Sequence, residues 1–175
     1  SNTLDDFKNY LKPDRKKELF NIDETIDKAI YLLTSQFKSE NIKIIKNSSN
    51  LNAYGFQNDF MQSFLNILHN SKDALIQIPN QKRFIFIDIK STDDTQVVIK
   101  IKDNAGGIQS QIINKIFDAR FTTKDEEKGS GIGLYMTKEM IEKHMLGKLE
   151  VENVDYEYEG IEYTGAQFTI TLPMK

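Results

Sequence analysis

The stretch GSGIGLYMTK, Gly129 to Lys138, decides how this chain is read. Three glycines at alternating positions cannot pack a core, but they let the backbone turn sharply and present its N–H groups. Tyr135 to Lys143 reads as a helix. A glycine-rich turn ahead of a helix suits an anion, because free N–H donors and the helix dipole converge there. Phosphate binding is one reading of the stretch, and a flexible surface loop is the other. The spacing excludes the better-known phosphate motifs. A dinucleotide turn needs G-x-G-x-x-G, and Leu134 stands where the third glycine belongs; a kinase glycine loop fails for the same reason, and no P-loop spacing occurs. The turn gains meaning only from partners elsewhere in the chain.

At 175 residues the chain is long enough for one domain with a proper core. With 39% hydrophobic and 28% charged residues it has an ordinary globular composition. A net charge of −3 makes no electrostatic case for nucleic acid or for an anionic membrane. There is no cysteine, which excludes a disulfide framework, a thiol nucleophile and a Cys-based metal site. No apolar run approaches a membrane span and no signal peptide is visible. The chain opens Ser1-Asn2 with no methionine, as expected of a fragment excised from a longer protein.

Outward from the glycines the chain reads as follows. Thr3 to Lys17 is polar, with Leu4, Phe7, Tyr10 and Leu11 at helical spacing, and reads as the tail of an upstream helix and a linker. Asp23 is a candidate N-cap for a helix buried through Ile26, Ala29, Ile30, Leu33 and Phe37. Ile42 to Ile45 is a short strand candidate, and Ser48 to Asn52 a turn. A helix from about Asn58 to Ile78 buries Phe60, Phe64, Ile67, Leu68 and Leu75. Asn66, Asn70, Asp73 and Gln77 share another of its faces. Arg83 to Lys90 and Gln96 to Asp103 form a hairpin. Gln111 to Phe117 is a candidate short helix, and Asp118 to Ser130 a long loop. Gly147 is a candidate C-cap, and Lys148 to Asn153 with Glu162 to Leu172 a final hairpin. This order is no regular βαβ alternation. It predicts an α+β fold, a mixed sheet with helices on one face.

Three polar groups are not explained by a core. Asn66 and Asn70 lie one helical turn apart, and their amide oxygens are hard neutral ligands suited to a Mg²⁺ that also holds phosphates. Asp103 ends a strand before small residues, where a carboxylate can accept from an exocyclic amine; Gly106 and Gly107 would let a flat base come close. Arg120, Thr122, Thr123 and Lys124 could position a polyphosphate. Taken singly, each is equally a solvated face, a turn-forming Asp or a charged loop.

Their joint order is more specific. NILHNSKDAL, DNAGGI, IFDARFTTK and GSGIGLYMTK resemble the N, first glycine, F and second glycine boxes of the GHKL ATP-binding superfamily. Within it, the chain resembles the catalytic and ATP-binding domain of a sensor histidine kinase, over roughly Phe20 to Lys175. The resemblance implies a Bergerat-type two-layer α/β sandwich with a mobile ATP lid over about Asp118 to Ser130. It implies that Asn70 is the main Mg²⁺ ligand, assisted by Asn66, and that Asp103 binds the adenine amine beside Gly107. Gly129, Gly131, Gly133 and Leu134 would offer backbone amides to the phosphates, with Lys124 as a phosphate contact. Hydrolysing members carry a glutamate one turn before the magnesium asparagine as general base; Asn66 cannot serve as one. Ser71 and Ala105 depart from the common alanine and glycine, and both are small.

The resemblance also implies a division into residues 1–19, linker and tail of an upstream dimerisation helix, and residues 20–175, the catalytic domain. A kinase of this kind transfers the γ-phosphoryl group to a histidine. Neither His69 nor His144 stands where an acceptor belongs, so the acceptor is expected on an upstream dimerisation domain. A response regulator receiver domain is the expected onward partner, and the full-length protein a homodimer. This chain is expected in the cytoplasm, with any membrane anchor in other segments. Rival readings are an anti-sigma-factor-type serine kinase, a GHKL ATPase and a nucleotide-binding scaffold without phosphotransfer.

Overall fold

The computed structural model describes residues 16–47, 49–79, 82–119 and 133–175. The expected upstream helix tail, Lys124, Gly129, Gly131 and nearly all of the expected lid lie outside them. The elements are β1 (Glu18–Asn21), α1 (Ile22–Ser39), β2 (Ile42–Asn47), β3 (Asn52–Gly55), α2 (Gln57–Leu75), β4 (Arg83–Ser91), β5 (Gln96–Asp103), α3 (Gly133–Glu139), β6 (Lys148–Tyr158) and β7 (Ile161–Pro173). Five strands form a mixed sheet in the order β2-β4-β5-β7-β6, in which only β2 and β4 run parallel. The helices cover one face, as the element order predicted. β1 and β3 make a separate antiparallel ribbon that sequence reading did not find: four residues apiece are too short to show alternation.

The period of two in each strand decides which face the helices cover. Ile85, Ile87 and Ile89 of β4, Val97, Ile99 and Ile101 of β5, and Phe168, Ile170 and Leu172 of β7 are all buried. Against them α1 lays Ile22, Ile26, Ala29, Leu33 and Phe37, and α2 lays Phe60, Phe64, Ile67, Leu68 and Leu75. The Phe20 ring meets Phe60 tilted at 5.7 Å, and Phe60 stacks on Phe64 at 5.9 Å. Lys46 of β2 pairs on this inner side with Asp23 and Asp27, pinning the sheet edge to the first turns of α1.

Several local readings are corrected. The α1 cap is Asn21, not Asp23: its side-chain oxygen accepts from the Glu24 N–H at 2.8 Å, and Asp23 serves the Lys46 pair instead. Gln111 to Phe117 holds only a 3₁₀ turn, Ile113–Lys115. The helix after the glycines changes pitch into a π turn, Met140–His144, in which the Met145 N–H reaches back to the Met140 carbonyl at 3.1 Å. The wider turn sets both Ile141 and Met145 into the core. The left-handed residue that ends it is Leu146 (φ 54), not Gly147. Gly147 has a steric reason: a Cβ there would lie 2.3 Å from the Thr171 carbonyl oxygen.

Arg83 joins the layers at one end. Its guanidinium is buried and donates to the Glu40 carbonyl at 2.7 Å and to the Ile78 carbonyl at 2.6 Å, with Ile76 at 3.5 Å. These carbonyls lie at and just beyond the C-termini of α1 and α2, where helices leave acceptors unpaired and the dipole favours a cation. One planar fork thus satisfies two helix ends from the first residue of a central strand. Arg83→Lys, which keeps the charge without the fork, should lower stability by about 1–2 kcal/mol, and Arg83→Ala by about 3 kcal/mol. Urea unfolding of the two variants checks this; a cost near zero for the alanine would remove the clamp.

Candidate functional site

Asp103 is the last residue of β5 and is 2% exposed. A buried carboxylate must be hydrogen-bonded. Its Oδ1 accepts from the Ala105 N–H at 3.0 Å and the Ala166 N–H at 3.2 Å. Burial raises its pKa, opposed by those two N–H groups and by the Ser71 hydroxyl. The next residue, Asn104, extends the sheet by its side chain, accepting from the Phe84 N–H at 2.9 Å and donating to the Lys82 carbonyl at 2.6 Å. The chain then turns through Gly106 (φ 97) and Gly107 (φ 86), conformations that side chains rarely adopt.

This loop is held from the far side by β6 and β7. They run on past the end of β5 and close through Glu159 (φ 50) and Gly160 (φ 80), a two-residue turn that matches strand twist. The Gly106 N–H donates to the Thr164 carbonyl at 2.9 Å, and the Tyr156 hydroxyl donates to the Asp103 carbonyl at 2.7 Å. Asn153 makes a two-way amide pair with Ile108, accepting from its N–H at 2.8 Å and donating to its carbonyl at 2.7 Å. Burial, and then the Asp103 carboxylate, push the Tyr156 phenol well above its ordinary range, so it stays a donor. The overhanging hairpin rests on the outer face of the sheet, where Tyr156, Tyr158 and Tyr163 meet Phe84 and Phe86 at 4.9–5.9 Å. Lys102 lies 3.9 Å above the Tyr156 ring.

α2 forms the opposite wall. Ser71 faces Asp103, and Asn66 faces the start of α3. The Asn66 Nδ2 donates to the Thr137 hydroxyl at 3.1 Å and to the Gly133 carbonyl at 3.4 Å, while Thr137 itself donates to that carbonyl at 2.7 Å. A carbonyl only accepts, so the Asn66 nitrogen faces α3 and its oxygen remains for another partner. Asn70, one turn on, is half-buried, and its side chain has no hydrogen-bond partner among the described residues. Gly133 and Leu134 open α3, with the Leu134 side chain packed on the core. Phe117 packs edge-on against Phe168 at 6.2 Å.

Of the sequence-predicted residues, Asn66, Asn70, Asp103, Gly107, Gly133 and Leu134 thus border α2, the β5 end and the α3 start. Lys124, Gly129 and Gly131 lie outside the described residues. Thr137, Asn153, Tyr156 and Gly165 were missed. Thr137 carried a weak signal, one turn after Gly133; the other three lie in a hairpin whose overhang depends on tertiary packing. Among the described residues no group of three or more His, Cys, Asp and Glu could hold a metal. The polar donors of the site are neutral amides, a set that fits a hydrated cation arriving with phosphate oxygens. His144 bonds Asp59 at 3.1 Å, tying the π turn to the first turn of α2. A separate groove between α1 and β2, lined by Ile30, Phe37, Ile42 and Ile44, contains none of these groups.

Residues 55–175 match the family described as histidine kinase-, DNA gyrase B- and HSP90-like ATPase. Sporulation kinase A of Bacillus subtilis is 32% identical over 162 residues, which is 91% of this chain and 24% of that protein. The catalytic domain of histidine kinase ThkA, nucleotide-free, superposes with a TM-score of 0.72 at 22% identity, covering 91% of this chain and 96% of that one. ThkA in complex with the response regulator TrrA superposes at 0.69 and 20% identity, covering 99% and 47%. At these identities the structural likeness is one of fold. The chain spans between 12% and 24% of the length of the first curated relatives it matches.

Gly165 gives a test of the hairpin's approach. A Cβ there would lie 1.7 Å from the Asp103 carbonyl oxygen, a backbone atom that cannot swing aside, whereas one at Gly160 meets open space. Gly165→Ala should cost at least about 3 kcal/mol, and Gly160→Ala about 1–2 kcal/mol from its positive φ alone. Thermal unfolding of the two variants checks the order; equal costs would mean the close approach is relaxed in solution.

Proposed function

Because the chain belongs to the histidine kinase-, DNA gyrase B- and HSP90-like ATPase family, we propose that it is the ATP-binding catalytic domain of a two-component sensor histidine kinase. ATP use follows from the family. The observation that carries the kinase reading over hydrolysis is Asn66. It stands where hydrolysing relatives need a basic carboxylate, and its amide nitrogen is spent on Thr137 and Gly133. A neutral amide cannot take a proton from water at pH 7, so ATP is held rather than hydrolysed.

In this reading Asp103 accepts from the exocyclic amine of adenine while Gly107 lies beside the base. The Asn70 amide oxygen, assisted by that of Asn66, would hold Mg²⁺. That ion, when bound, neutralises phosphate charge. The backbone N–H groups of Gly133 and Leu134, with those of Gly129 and Gly131 and the Lys124 ammonium, hold the phosphate chain. An acceptor histidine on an upstream dimerisation domain attacks the γ-phosphorus, and the bond to the β–γ bridging oxygen breaks to release ADP. Positioning and charge neutralisation carry the rate. Residues 1–19 would link to that dimerisation domain and residues 20–175 would be the catalytic domain. A response regulator is the proposed onward partner, in line with the ThkA–TrrA complex. No helix among the described residues is long and apolar enough to cross a membrane.

Incubation with Mg-ATP, followed by chromatography of bound and free nucleotide, tests the reading. Intact ATP on the protein with little free ADP is expected; catalytic accumulation of ADP would replace it with an ATPase. Asn70→Ala should weaken Mg²⁺-dependent ATP affinity by about tenfold or more, about 1.4 kcal/mol. Asp103→Ala should remove the preference for ATP over GTP. Calorimetric titration reads both, and unchanged values would take the residue concerned out of the site.

A further inference from the structure

The loop proposed to face the nucleotide base, Asp103 to Ile108, is not self-supporting. Its two glycines are both at positive φ; Asp103 and Asn104 are also tied to β4 and Lys82, but among the described residues the bonds that fix Gly106 and Ile108 come from the overhanging half of one hairpin. Tyr156 and Ala166 hold Asp103, Thr164 holds Gly106, and Asn153 holds Ile108. Of these, Asn153 is the only side chain bonded in both directions, to the N–H and the carbonyl of one residue. It reproduces the pairing that a neighbouring strand would supply, at a place where the loop has left the sheet. It also accounts for Gly107 without any ligand: a Cβ at that position would sit 2.8 Å from the Asn153 Oδ1.

We infer that Asn153 is a positioning residue that sets base specificity, fixing the Gly106–Ile108 turn and with it the distance between Asp103 and the base. The inference rests on the reading of Asp103 as the adenine acceptor. Without the amide pair, the turn at Gly106 and Gly107 regains the wide conformational range of glycine. Asp103 keeps its own N–H partners, so the carboxylate survives while the wall opposite the base loosens. The loss then falls on recognition of the base edge, because a site built to bond a substrate N–H discriminates only while its geometry is held. Among the described residues of the phosphate end, on α2 and α3, none bonds Asn153, so that end is unaffected.

The test is titration calorimetry of the whole chain with ATP and with inosine triphosphate, which carries an oxo group in place of the adenine amine. Asn153→Ala should weaken ATP binding by about tenfold while leaving inosine triphosphate within about twofold, so that the preference collapses. Asn153→Asp, which keeps the acceptor for the Ile108 N–H and loses the donor, should fall between; it also decides the matter if the alanine variant does not fold. Gln167→Ala, which removes only an exposed bond to Glu152 one ladder step away, should keep the wild-type ratio. A wild-type preference retained in both Asn153 variants overturns the inference alone. So does an equal loss for both nucleotides, which is what plain structural support would give. A wild-type chain that binds both nucleotides alike overturns the Asp103 reading, and this inference with it.

Discussion

The arrangement turns on one buried carboxylate. Asp103 sits at a strand end where water hardly reaches, so its charge has to be met by the protein. Two backbone N–H groups meet it, one from its own loop and one from β7. That requirement brings the β6–β7 hairpin against the end of β5 so closely that only glycine fits at position 165. It also explains why the loop after Asp103 bends back at once, since the Ala105 N–H must reach the carboxylate two residues before it. Structural need and proposed chemistry coincide here: the group whose burial organises the sheet end is the group offered to a base.

α2 carries the same logic to the other wall. Its apolar stripe seats it on the sheet, and that seating fixes where its polar side falls. Ser71 then faces Asp103 and Asn66 faces Gly133 and Thr137, with Asn70 left between them. Arg83 sets the far ends of α1 and α2 against the start of β4, so α2 is held at its C-terminus by a cation and along its length by the core. A helix fixed in this way can present two amides at constant spacing, which a loop could not do.

The hairpin overhang is a second layer of order. Its tyrosines pack on Phe84 and Phe86, two of the β4 residues that point away from the helices. The outer face of the sheet is therefore covered at one corner, and that corner lies directly behind the loop after Asp103. Aromatic packing outside and the amide pair of Asn153 inside hold the same few residues of backbone.

Much of this was legible from residues alone. The stripes of α1 and α2 and the alternation of β4, β5 and β7 are local periodicities, and they predicted the layers. Asp103 at a strand end, the paired asparagines one turn apart and the glycines ahead of a helix are local patterns too, and they are what single out the residues proposed for the site. What could not be read is what depends on partners distant in sequence. β1 and β3 are strands only because they pair with each other. Asn21 caps α1 because Asp23 is drawn to Lys46. Gly107, Gly147 and Gly165 are glycines because of Asn153, Thr171 and Asp103. The sequence by itself determined the long elements, the faces they bury and the side-chain types they offer, since these follow from the period of a helix or strand and from residue identity. Only the tertiary structure decided where two backbones approach so closely that no Cβ fits between them, because that distance is set by the packing of whole elements.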